Sequence, residues 1–322
     1  DMQFGKLKLQ AVVSQKNSTS KSVSSKGGTQ LTPFELNVAN YEENRHFFLA
    51  QYFREHYEQW MSRLPVITSG VEVTRIEVWV TNKTGTTSNS RNIVSFADLA
   101  ESTSKKWGGG TRSEVPQNAA NRQYDEVVST YAAARDIDQA SSVLTGLYEG
   151  GTDYEKLAAA RLLTSSEYTL NKTMGYISLK TALQSDQVLA VAYEFTYGGQ
   201  TYKVGEFASE HTNTADALFV KTLKNTSNNP QQPNWRLMMK NVYYLASNVE
   251  KQKFRLDIRY QSDTTGVYVS YIPEPEAKDI TLLRALGCDR LDNNNKAHPN
   301  GYFDFVEGYT VSNGRIFLPS AE

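Results

Sequence analysis

The residues of this 322-residue chain best suited to chemistry lie between positions 289 and 304. Asp289, Asp292, Asn294, Asn300 and Asp304 crowd oxygen-bearing side chains into one short stretch. Hard cations such as Ca²⁺ take six to eight oxygens, often from one loop. Asp292, Asn294 and Asp304 are therefore the candidate metal ligands, with Asp289 and Asn300 as weaker ones. Lys296 stands where a third ligand would be, no Gly follows it, and no Glu closes the pattern. The alternative is a turn held by Asn and Asp side chains bonding to nearby backbone. The turn is the favoured reading. Ca²⁺ is the one cofactor the sequence suggests, and no other is expected.

Other constellations point away from catalysis. Four histidines are present, with no HExxH and no GxSxG pattern. Glu42-Glu43 and Glu274-Pro275-Glu276 read as solvated surface. Gly108–Gly110 lacks the Lys-Ser or Lys-Thr of a phosphate-binding loop. The single cysteine, Cys288, cannot form an internal disulfide and reads as a small buried hydrophobe. Trp79, Trp107 and Trp235 are scattered and read as core or edge residues. No catalytic residue is expected, and the chain is read as not an enzyme. With 34 basic and 35 acidic residues the net charge is -1. No global field draws in a polyanion, so nucleic acid is not an expected partner.

Several elements must position these residues. Met2–Val13 alternates as a strand, and Lys16–Thr32 is a Ser/Thr/Lys/Gly loop. Thr32-Pro33-Phe34-Glu35 fits both a short strand and a capping box. Asn40 and Glu43 open an amphipathic helix of about 22 residues that ends before Pro65. Val71–Asn82 is a strand. Helical spacing at Tyr124, Val127, Val128 and Tyr131, then a capping box at Thr152 and Glu155, predict a helical insertion over 116–164. From Tyr168 onward strands dominate, with a hairpin at Tyr197-Gly198-Gly199-Gln200 and a short helix at Ala215–Leu223. Tyr168–Leu170 with Gly175–Leu179 is echoed by Tyr309–Val311 with Gly314–Leu318, each reading as strand, turn, strand. No signal peptide opens the chain, and the second echo stops almost at once, at Glu322. It reads as an internal piece of a longer protein.

Five segments resemble the SprA/Sov family. They are Asn44–Arg54; Thr74–Asn82 with Arg91–Leu99; Gly175–Leu179 with Val188–Tyr193; Trp235–Tyr243; and Phe303–Gly308. They run in family order across nearly the whole chain. At Asn300-Gly301 the chain departs from the family's Asp-Gly, which weakens a carried-over cation site. The resemblance implies a very large outer-membrane β-barrel, the translocon of type IX secretion, also needed for gliding motility in some members. It implies other secretion-system subunits and secreted cargo as partners. Met2–Val13 would then be a barrel strand, and the rest a domain on the extracellular or periplasmic side, with the outer face preferred because long barrel excursions are usually extracellular.

The expected fold is α+β: a β-rich domain with a long amphipathic helix and a helical insertion at 116–164. Residues 1–32 form an N-terminal strand and flexible linker, and 33–322 the domain. The expected function is a non-catalytic structural and interaction module of the translocon. A surface adhesin or glycan-binding module, or a glycan-acting enzyme with a carboxylate pair, are the rivals.

Overall fold

The computed structural model describes residues 6–14 and 31–321, apart from 105, 109–114, 228, 248, 253, 263–264, 273 and 275–278. The expected loop at Lys16–Thr32 lies largely outside these residues, as do Gly109 and Gly110. Among them the chain forms β1 (Lys6–Ser14), β2 (Leu31–Asn37), β3 (His46–Phe48), α1 (Gln51–Met61), β4 (Val71–Val80), β5 (Ser90–Phe96), α2 (Gln123–Ser129) and α3 (Ala140–Leu144). Then follow β6 (Tyr154–Leu162), β7 (Tyr168–Asn171), β8 (Tyr176–Leu179), β9 (Leu189–Tyr197), β10 (Gln200–Val204) and β11 (Leu218–Lys224). The chain continues with β12 (Val242–Tyr244), β13 (Arg255–Gln261), β14 (Tyr268–Val269), α4 (Leu282–Ala285), β15 (Val311–Ser312) and β16 (Arg315–Phe317).

The α+β expectation is corrected: the protein is β-rich, and its α-helices are short. The longest, α1, has 11 residues in place of about 22. Asn44 takes a positive φ of 58°, and His46–Phe48 pair antiparallel with Tyr176–Ser178, so the segment read as the first helical turns is committed to a sheet. The insertion is helical only between 118 and 144; residues 154–162 are a strand. The misleading pattern has a specific cause. Tyr154, Leu157 and Ala160 are buried three apart, as on a helix. A bulge opposite Asn92 inserts an extra residue, so Leu157 and Ala160 reach the same core although their parity differs. Ala215–Leu223, read as a helix, holds β11 instead.

Two compact units form, Asp1–Glu42 with Glu58–Ile67 and Lys240–Glu322, and Glu43–Tyr57 with Thr68–Met239. In the first, a four-stranded sheet runs β14-β13-β1-β2. The barrel-strand reading of Met2–Val13 is corrected here. β1 pairs with β13 on one side and β2 on the other, so its ladder is satisfied within the chain. Leu256 and Ile258 of β13 face a core shared with Tyr243, Leu283, Cys288 and Ile316.

In the second unit β9, β11, β5, β6 and β4 pair in sequence, and β4 pairs back to β9. The ring of pairings closes, with β10 appended to β9 and one parallel pair, β11 with β5. The closing contact is short, since β4 meets β6 only at Trp79↔Leu162 and Val80↔Arg161. Trp79, Ile93, Leu157, Ala190, Ala192 and Val220 pack together in one core. On another face Phe96, Phe219 and Tyr154 pack against Val127, Ala134 and Leu144 of the helical segment.

The echo forms two hairpins, β7–β8 and β15–β16. It is longer than its sequence signal. In each unit a third strand joins the second hairpin strand: His46-Phe47-Phe48-Leu49-Ala50 in one, Val242-Tyr243-Tyr244-Leu245-Ala246 in the other. Registers match, with Phe47 opposite Ile177 and Tyr243 opposite Ile316. Leu49 N–H donates to Gly175 O and Leu245 N–H to Gly314 O, both at 2.9 Å. Leu179 N–H donates to Arg45 O at 2.8 Å, and Leu318 N–H to Asn241 O at 2.9 Å. Each unit is thus built on one copy of the same three-stranded frame.

Candidate functional site

The oxygen-rich loop holds three carboxylates, each engaged with backbone amides. Asp304 accepts from Arg290 N–H at 2.7 Å and Leu291 N–H at 3.0 Å. Asp289 accepts from Asn300 N–H at 2.8 Å and Gly301 N–H at 3.1 Å. Asp292 accepts from Asn294 N–H at 2.8 Å and Lys296 N–H at 2.9 Å. Asp289 and Asp304 are buried, whereas Asn294 is exposed. The geometry is that of side chains closing turns. Burial pushes the Asp304 carboxyl up to about 6, and the neighbouring Asp289 charge adds to that rise. The Lys296 and Asn294 amides hold Asp292 below the usual carboxylate range. Among the described residues no group of three or more His, Cys, Asp or Glu side chains is placed to hold a metal ion. Cys288 beside this loop is buried, and burial pushes its thiol up.

Two charge clusters in the second unit escaped the sequence reading. Glu206, only 1% exposed, takes Arg135 Nη2 at 2.6 Å and Tyr124 Oη at 3.0 Å on one oxygen. Its other oxygen takes Arg135 Nη1 and Phe219 N–H, both at 2.9 Å. His211 Nε2 lies 3.3 Å from the same carboxylate. Burial would raise Glu206, but the bonds and charge of Arg135, the Phe219 amide and the His211 charge hold it below the usual range. It is an anion already saturated with donors, tying the helical segment to β11. The second cluster pairs Lys221 with Glu101 at 2.8 Å, both buried. Lys221 Nζ also donates to Ala97 O, and Glu101 accepts from the Gln51 N–H that opens α1. A carboxylate there complements the positive end of the helix. Burial pushes Glu101 up, against the pull of Lys221 and that amide. Neither cluster has a sequence motif, because Glu206 lies 71 residues from Arg135 and 82 from Tyr124, and Glu101 lies 50 from Gln51.

Other expectations sort similarly. Glu42 is not solvated surface: it forms a two-pronged, half-buried ion pair with Arg315. His46 and His56 do not share a helix. His46 lies on β3 with Nδ1 2.7 Å from Ser178 Oγ, and His56 on α1. Trp79 and Trp107 are buried, Trp107 stacked on Tyr148 with ring centroids 4.8 Å apart. These rings form no exposed stacking platform.

A cleft of about 20 Å³ remains in the second unit, walled by Phe47, Leu223, Asn225, Asn234, Trp235 and Met238. Small-molecule sites are typically about 300–1,000 Å³, so a metabolite does not fit this one.

The molecule is β-rich, and its buried charges tie covering segments to strands. Its family is specific: residues 1–185 match the SprA_N family model, described as motility related/secretion protein. The chain belongs to the SprA/Sov family and is a motility- and secretion-related protein. A search of curated proteins found no match to it. Among the described residues no helix is long and apolar enough to cross a membrane.

Proposed function

We propose that this chain is a non-catalytic module of an outer-membrane translocon serving type IX secretion and gliding motility. It shapes the path of secreted proteins and offers surfaces to them and to partner subunits. The observation that carries this reading is the family match over residues 1–185. The buried Arg135–Glu206 and Lys221–Glu101 pairs support it, since both hold cover segments to strands rather than present a charge to a reactant. Photocrosslinkers placed across the exposed surface in the intact cell envelope test it. Crosslinks to secretion subunits or to secreted proteins in transit are expected. Crosslinks confined to cytoplasmic proteins, or unaffected secretion and gliding when the segment is deleted, would overturn it. Protease added to intact cells reports whether the module faces outward.

A further inference from the structure

Asn300-Gly301, within the oxygen-rich loop, is a dipeptide with chemistry of its own. In an open chain the Gly301 amide nitrogen, once it has lost its proton, attacks Asn300 Cγ. The new N–C bond closes a five-membered succinimide, the Cγ–Nδ2 bond breaks, and the side-chain nitrogen leaves as ammonia. Water then opens the ring at either carbonyl and leaves aspartate or isoaspartate at 300. Glycine favours the attack because it has no Cβ to crowd the nitrogen. Gly301 is exposed, and a Cβ built there would meet nothing within 4 Å, so crowding gives this pair no protection.

Hydrogen bonds hold each of the reacting groups instead. Asp289, 4% exposed, accepts from Gly301 N–H at 3.1 Å on both carboxylate oxygens and from Asn300 N–H at 2.8 Å. Asn300 Oδ1 accepts from Tyr302 N–H at 2.9 Å, and its Nδ2 donates to Asn293 Oδ1 at 3.2 Å. The carboxylate is the main guard. Removing the Gly301 proton would set a second negative charge against Asp289, and like charges at that distance disfavour the step. The two side-chain bonds tether the Asn300 carboxamide at both ends.

We propose that Asn300 is a latent self-modification site, kept from deamidation by the Asp289 clamp on the Gly301 amide and released when the 289–304 loop opens. The change is one-way. Isoaspartate adds a methylene between the two amides that Asp289 spans, so the clamp cannot close again in the same geometry. Protection of Asn300 does not depend on the module's part in secretion. The full chain is held at physiological temperature and mildly alkaline pH. Fragment-ion mass mapping follows the gain at Asn300, separately from that at the chain's other Asn-Gly pair, Asn313-Gly314. A peptide Ala-His-Pro-Asn-Gly-Tyr-Phe, blocked at both ends, supplies the open-chain rate. Asn300 in the folded chain should convert at least about tenfold more slowly than the peptide, because reaction waits on local opening. Asp289→Ala should raise the folded-chain rate about tenfold, the worth of a hydrogen bond to a charged group. Asp289→Asn, which keeps an acceptor oxygen without the charge, should raise it less. Gly175→Ala, which weakens the fold without touching these bonds, should leave the rate unchanged below its melting transition. Should Asp289→Ala not fold, Asp289→Asn decides alone. Equal rates in the folded chain and the peptide, an unchanged rate in the folded Asp289 variants, or an equal rise in Gly175→Ala would each overturn the proposal.

Discussion

Glu206 accepts from Arg135, Tyr124 and the Phe219 amide, while Asp304 accepts only from the amides of Arg290 and Leu291. Both are buried, and the difference in donors gives them opposite pH behaviour. Glu206 is held below its ordinary range, so the unfolded chain takes up that proton first as pH falls. Its stabilisation is full above the ordinary carboxylate range and is lost as pH drops through its folded value. Removing one partner of a buried pair costs about 3–5 kcal/mol. Glu206→Ala should lose that much in urea unfolding at neutral pH, and Glu206→Gln, which keeps an acceptor, should lose less. Asp304 is raised to about 6, so the folded chain takes up that proton first. Stability credited to Asp304 should therefore rise as pH falls from about 7 to about 4, the range bounded by its folded value and an ordinary Asp. The melting temperature of the unaltered chain minus that of Asp304→Asn should grow over that range. A flat difference would mean the carboxyl titrates normally. The sequence showed that these acids exist, and even that 289–304 was oxygen-rich. It could not show which donors reach them, because Arg135 and Glu206 meet only when the strands between them fold.

The duplicated frame belongs to the scale of elements. Its two turn glycines have φ of +63° (Gly175) and +74° (Gly314). A Cβ on Gly314 would lie 1.6 Å from the carbonyl oxygen of Ala246, and one on Gly175 2.4 Å from the Phe53 ring. Alanine at either should cost more than the ~1 kcal/mol of the left-handed backbone alone. Gly314→Ala should lower the melting temperature further than Gly175→Ala, because a backbone carbonyl yields less than a side-chain ring. Equal, small shifts would show that the third strand is loosely held. The hairpins were legible because Tyr-Thr and Gly-x-Ile-x-Leu bracket a local turn. The third strands were present in the sequence too, as His-Phe-Phe-Leu-Ala and Val-Tyr-Tyr-Leu-Ala. They join their hairpins across gaps of about 120 and about 60 residues, and local periodicity carries no sign of that pairing. The same limit explains β6. Burial three apart is helical by period, but Tyr154 faces a different core from Leu157, and the bulge against β5 brings Leu157 and Ala160 to one core.

For the whole molecule, the closed ring of β9, β11, β5, β6 and β4 predicts where exchange is slow. Strands paired on both sides and buried on both faces open only with wide unfolding. Amides of β9 and β11 should exchange most slowly, and those of the two-residue edge strand β14 among the fastest. Native-state hydrogen exchange checks this, and β9 exchanging as quickly as β14 would contradict closure. Composition, the alternating runs and the long family-like segments were enough to determine that the chain is β-rich in its second half, carries no recognisable catalytic motif and belongs with secretion and motility proteins. Those properties are local or additive along the chain. Only the tertiary structure decided that β1 is an interior strand and that α1 begins at Gln51 under the Glu101 carboxylate. Each depends on groups far apart in sequence, and their pairing energy exists only once the intervening chain has closed around them.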